Sequence, residues 1–161
     1  MTDFSVSERT YQMRPGYLTV HHDQLMVYGV LGSGVFVGLF DQRNQYSGCC
    51  YFQFPRSPGR KSTSRFGEQA IRYLVTLMQQ GGSHPRDLRA HVIGGGIKRG
   101  NTFGERNIHA AMEVLHELNV PIDTTDTGGM MGRKFVYNTA TGEHMVMKVH
   151  NIRSQDWYPY N

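Results

Sequence analysis

Glycine ends nearly every apolar run of this chain. Gly32 and Gly34 bracket Ser33 behind Leu31, Gly81-Gly82 follows a helical stretch, Gly94-Gly95-Gly96 follows Ile93, and Gly128-Gly129 and Gly142 mark later turns. Glycine supplies positive φ and close backbone approach, so these positions read as ends of short elements where a cleft can be built. Between them, Leu18 to His21, Gln24 to Tyr28, Val35 to Phe40 and Cys49 to Phe54 are short, β-branched or aromatic, and are predicted as strands before the first helix. Phe66, Ala70, Ile71, Leu74, Val75 and Met78 recur at helical spacing, as do Ile108, Ala111, Met112, Leu115 and Leu118. Thr102 and Glu105 have capping-box spacing at the start of the second helix. Leu88 to Ile93 and Val120 to Ile122 add strands, and Lys134 to Tyr137 with Met145 to Val149 forms a hairpin around Asn138 to Gly142. The expected fold is α+β: a mixed or largely antiparallel, sandwich-type sheet core flanked by two main helices.

A chain of 161 residues suits one domain, expected over residues 1–150, with an aromatic tail over 151–161 carrying Trp157, Tyr158 and Tyr160 around Pro159. Such a tail either packs back on its own domain or docks on a partner. No apolar run approaches a membrane span, and the start Met1 to Ser5 has no secretory character, so the expected location is cytoplasmic, without membrane insertion. The net charge of +4 is small and dispersed, with one basic cluster, Arg56, Arg60, Lys61 and Arg65, in a Pro/Gly/Ser loop, and no nucleic-acid partner is expected. Gly94-Gly95-Gly96 lacks the spacing of a dinucleotide fingerprint, and Gly59 to Thr63 that of a phosphate loop. The eight histidines show no metal-ligand spacing, so neither metal nor other cofactor is expected. Cys49 and Cys50 are neighbours that point to opposite strand faces, which disfavours a disulfide between them.

Taken in order, the glycine-bounded blocks resemble the CheD family of chemotaxis proteins, which deamidate glutamines on chemoreceptors. The blocks are Leu31-Gly32-Ser33, Gly48 to Pro55, Phe66 to Ile71, Ile93 to Gly96, Gly104 to Asn107, Asp126 to Gly129, Gly132 to Lys134, and Tyr137 to Thr139 with Thr141 to Glu143. The resemblance implies a cysteine nucleophile after Gly-Ser, a histidine base in the next strand, and an assisting threonine upstream. On this chain those places hold Gly34, Tyr51 and Tyr28, and all three depart from the family. Glycine has no side chain with which to attack, and tyrosine is a poor general base at neutral pH.

Three functions follow from that departure. The first is a non-catalytic module whose cleft, at Tyr28, Ser33, Gly34, Tyr51, Arg106 and Asn107, binds chemoreceptor helices or a CheC-type phosphatase. Tyrosines at a cleft mouth suit protein recognition or simply fill an emptied pocket. Arg106 and Asn107 lie just inside a helix start, where they read first as a structural cap and alternatively as holding neighbouring loop carbonyls at the cleft rim. The second function is an amidase or deamidase with a relocated thiol, Cys49 or Cys50, of which Cys49 shares a strand face with Tyr51. The third, an enzyme disabled by an introduced Gly34, is weakened by Tyr51, since a restored thiol would still lack its histidine.

Overall fold

A computed structural model describes residues 9–59 and 63–157, so Arg60 and Lys61 of the basic loop and Tyr158 to Tyr160 of the tail lie outside the described residues. In chain order the strands are β1 (Thr10–Gln12), β2 (Leu18–His21), β3 (Met26–Leu31), β4 (Val35–Asp41) and β5 (Tyr46–Phe52), then β6 (Leu88–Gly94), β7 (Ile122–Thr127), β8 (Gly132–Asn138) and β9 (His144–Val149). The helices are α1 (Gly67–Gln80), α2 (Phe103–Glu117) and the short α3 (Ser154–Trp157).

The strands form a five-stranded sheet, β2-β5-β4-β6-β7, and a four-stranded sheet, β1-β3-β8-β9. Both are mixed, because β1 runs parallel to β3 and β6 parallel to β7 while the other pairs are antiparallel. Helices α1 and α2 cover one face of the five-stranded sheet, and the four-stranded sheet covers its other face. This double cover explains why every residue of β4 and β5 is buried, unlike a half-exposed strand. Val35, Val37, Leu39, Cys50 and Phe52 pack with Ile71, Leu74, Met78 and Val114 in the helix-sheet core. Phe36, Cys49, Tyr51 and Ile93 pack with Val27, Leu31, Phe135 and Tyr137 between the sheets. Burying each large aliphatic side chain of the α1 stripe contributes about 1.5–3 kcal/mol.

Three expectations about elements are corrected. Five strands, not four, precede α1, since Thr10–Gln12 adds a polar three-residue edge strand with no legible alternation. The Thr102–Glu105 capping box does not form: Thr102 makes no side-chain cap bond, and the Asn101 Oδ1 accepts the Phe103 N–H instead at 2.8 Å. Strand β3 also starts later than Gln24, because the Thr139 hydroxyl takes the Leu25 N–H and donates to the Asp23 carbonyl, both at 2.8 Å. Among the described residues no helix is long and apolar enough to cross a membrane.

Candidate functional site

The loop Gly32-Ser33-Gly34 joins β3 of one sheet to β4 of the other and is held from beneath by the glycines after β6. Gly95 N–H donates to the Gly34 carbonyl at 2.9 Å, and Gly96 N–H to the Gly32 carbonyl at 2.8 Å. Gly94 has φ +113° and lies so close that a Cβ there would collide with the Gly34 carbonyl. Helix α2 then settles on this turn, since Gly104 is pressed against the carbonyls of Gly95 and Gly96. From the next turn of α2 the fully buried Asn107 sends its Nδ2 to the Ser33 carbonyl at 3.0 Å and the Gln53 carbonyl at 2.8 Å. One amide thus ties the Gly32-Ser33-Gly34 loop to the end of β5.

Position 34 has no free space. A Cβ built on Gly34 would stand 2.6 Å from Cε2 of Tyr51 and 3.1 Å from the Phe52 carbonyl oxygen. The Tyr51 ring is 1% exposed, and its hydroxyl donates to the Val30 carbonyl at 2.9 Å. The phenol therefore spans from β5 to β3 and fills the volume that side chains at 34 and 51 would share. A phenol committed as donor to a carbonyl is not placed to take a proton from a nucleophile.

Neither cysteine of β5 is set up as a reactive thiol. Cys49 faces the four-stranded sheet alongside Tyr51, and Cys50 faces the helices. Both are fully buried, and burial pushes the Cys50 thiol up to about 12; burial, with Cys50 beside it, raises Cys49 well above its ordinary value. Thiolate is scarce at such values near neutral pH. His21 and His22, at the end of the adjacent strand β2, are engaged elsewhere: His21 meets the Thr19 hydroxyl, and His22 stacks on Tyr46 with centroids 4.1 Å apart.

Two expected cleft residues lie apart. Tyr28 is on the outer face of β3, in a groove of the four-stranded sheet with Gln12, Val30, Val136 and Met145, and does not pack beside Tyr51. The reason is the strand period: Val27, Gly29 and Leu31 take the inward face, leaving Tyr28 outward. Arg106 does not hold loop carbonyls as Asn107 does; it is exposed, with its guanidinium 5.5 Å from the Phe103 ring centroid.

The residues after β9 add a wall that sequence spacing did not place. Ile152 packs directly over Gly132, and Trp157 covers Gly32, where a Cβ would come within 3.4 Å of the indole. Asp156 pairs with Lys134 at 3.0 Å and with Arg153 at 3.2 Å, and the Trp157 carbonyl accepts from Gln12 Nε2 at 2.9 Å. A cavity of about 340 Å³ remains above the loop, lined by Ser33, Ile97, Lys98, Met130, Met131 and Trp157 among others. The aromatic character of the tail was the available signal; its docking place was not.

Helix-sheet-sheet layering and a glycine-framed loop define an α+β sandwich protein with a strand-end cleft in which the Tyr51 ring fills the space beside Gly34. The profile of the CheD chemotactic sensory transduction family matches residues 54–148, and the chain belongs to that family. It is similar to a probable chemoreceptor glutamine deamidase CheD of Rhodospirillum rubrum, 32% identical over 149 residues, covering 89% of this chain and 85% of the relative. The corresponding protein of Trichlorobacter lovleyi is 35% identical over 140 residues, covering 83% of this chain and 87% of the relative. A Methanosarcina acetivorans protein of the same description is 33% identical over 122 residues, covering 72% and 77%.

Proposed function

We propose that this chain is a non-catalytic CheD-family protein that binds helical cytoplasmic segments of chemoreceptors without hydrolysing their glutamine amides, and that it works in the cytoplasm where those segments lie. The observation that carries this is the Tyr51 ring standing where a side chain at position 34 would be. Erasing a nucleophile while keeping the loop, its glycine frame and the Asn107 clamp removes chemistry and retains shape. The buried, protonated thiols of Cys49 and Cys50 count against a relocated cysteine. A CheC-type phosphatase is the other partner class the cleft would suit.

Incubation with a glutamine-bearing receptor fragment separates these functions. The expected result is a detectable complex and no gain of about 1 Da on the fragment by mass spectrometry, the mark of an amide turned to acid. Deamidation abolished by Cys49→Ala would replace this function with catalysis from the relocated thiol. Failure of both a receptor fragment and a CheC-type protein to bind at high micromolar concentration would remove the binding function.

A further inference from the structure

The rim of the cleft carries cations that the fold does not neutralise. Arg65, Lys98, Arg99 and Arg106 are all exposed, and none has an ion-pair partner among the described residues. Arg56, by contrast, is held by Glu68 at 2.8 Å and Glu113 at 3.1 Å, and His109 by Glu113 at 3.1 Å. Lys98 lies beside the Gly32-Ser33-Gly34 loop, and Arg65 and Arg106 lie on Phe54, the chain neighbour of Gln53, and Phe103, the first residue of the helix that carries Asn107. Lys98 lines the cavity above Ser33, and Arg99 follows it in the same turn. Arg106 precedes Asn107, whose amide binds the Ser33 carbonyl. Arg65 lies 5.8 Å over the Phe54 ring, just past the end of β5.

Arg65 and Arg106 share one shelf. Phe54 and Phe103 meet edge to face at 5.5 Å, with the Arg65 guanidinium over the first ring and that of Arg106 over the second. A guanidinium laid on an aromatic face keeps its forked donors directed outward for a carboxylate. Aromatic residues and arginine are also the side chains most enriched at recognition surfaces. Glu105 is the carboxylate nearest Arg106 in sequence and lines the same groove, so it reduces the field without cancelling it.

We propose that the cleft distinguishes deamidated from amidated receptor helices, binding segments that carry glutamate more tightly than the same segments carrying glutamine. This rests on the binding function proposed above. Hydrolysis of a glutamine amide releases ammonia and leaves a carboxylate, so the product differs from the substrate by one negative charge per site. A protein that keeps the cleft, lacks the nucleophile and borders the cleft with unpaired cations has affinity for the product where an enzyme needs to release it.

Fluorescence anisotropy with the full chain and one chemoreceptor cytoplasmic fragment, prepared with glutamate or with glutamine at its deamidation sites, tests this. At low salt the glutamate form should bind at least about fivefold more tightly, and the gap should close at high salt. Arg65→Gln with Arg106→Gln should bring the ratio of the two affinities close to one, whatever it does to binding of the glutamine form. Lys98→Gln with Arg99→Gln, on an exposed turn, gives a second test should the first pair disturb folding. Equal affinity for the two forms overturns the proposal but leaves the binding function standing, whereas no binding of either form overturns both. A scrambled helix of equal charge bound as tightly as the glutamate fragment also overturns it, since the rim would then be reading charge alone.

Discussion

At position 34 the absence of a side chain and the presence of the Tyr51 ring are one steric fact. Gly34 and Tyr51 are complementary: the ring occupies the volume a Cβ would claim, 2.6 Å from its Cε2. Gly34→Cys alone therefore overpacks a closed interior, with an expected loss of about 1–3 kcal/mol in denaturant unfolding and no deamidation. Adding Tyr51→His replaces the six-membered ring by a smaller imidazole, so the double variant should regain part of that stability and is the one in which turnover can appear. A single Gly34→Cys variant as stable as the parent would show that the ring does not exclude the thiol.

Among the elements, the segment after β9 has its own reporter. Trp157 is the only tryptophan in the chain, and it sits over Gly32. Its neighbour Asp156 receives hydrogen bonds from the side chain and backbone N–H of Arg153 and from Lys134, which hold its carboxyl well below the usual carboxylate range. The depressed value means that the stabilisation is present above pH 3.8 and is lost only as pH falls below it towards the folded-state value. Trp157 emission should thus stay constant from neutral pH down to about 4 and shift red only in stronger acid. Asp156→Asn should produce the shift at neutral pH. A red shift of the parent already near pH 5 would point to another group as the anchor.

For the whole molecule, the two sheets are pinned together at the end remote from Gly34 by an imidazole-hydroxyl-imidazole chain. His91 Nδ1 of β6 meets the Thr124 hydroxyl of β7 at 2.7 Å, which lies 3.4 Å from His144 Nε2 of β9. Burial first, then the neighbouring His144, lowers the His91 pKa from 6.5, with Asp123 opposing. Above pH 6.5 both folded and unfolded forms are neutral at this site and nothing changes; below it the unfolded chain takes up the proton first, and stability falls until the folded value is reached. Urea unfolding should give a lower stability at pH 5 than at pH 7, and His91→Gln should flatten part of that slope. His21, also lowered by burial, accounts for a further part, so the variant is compared with the parent and not with a flat line.

Local pattern alone determined much of this protein. Helical spacing located α1 and α2, period-2 runs and turn glycines located most strands, and the order of the glycine blocks pointed to the CheD family. Strand parity also placed Cys49 with Tyr51 and Cys50 opposite, because alternation is a property of adjacent residues. Long-range contact decided the rest. Strand β1 depends on pairing with β3, the Asn107 clamp joins Ser33 to Gln53 across distant elements, and Tyr51 reaches Val30 in the other sheet. The sequence places Gly34 and Tyr51 where the CheD resemblance implies a thiol and a base; only the packing of β5 against β3 and β4 shows that the Tyr51 ring fills the space a side chain at 34 would need, because exclusion of volume is settled between elements and not along the chain.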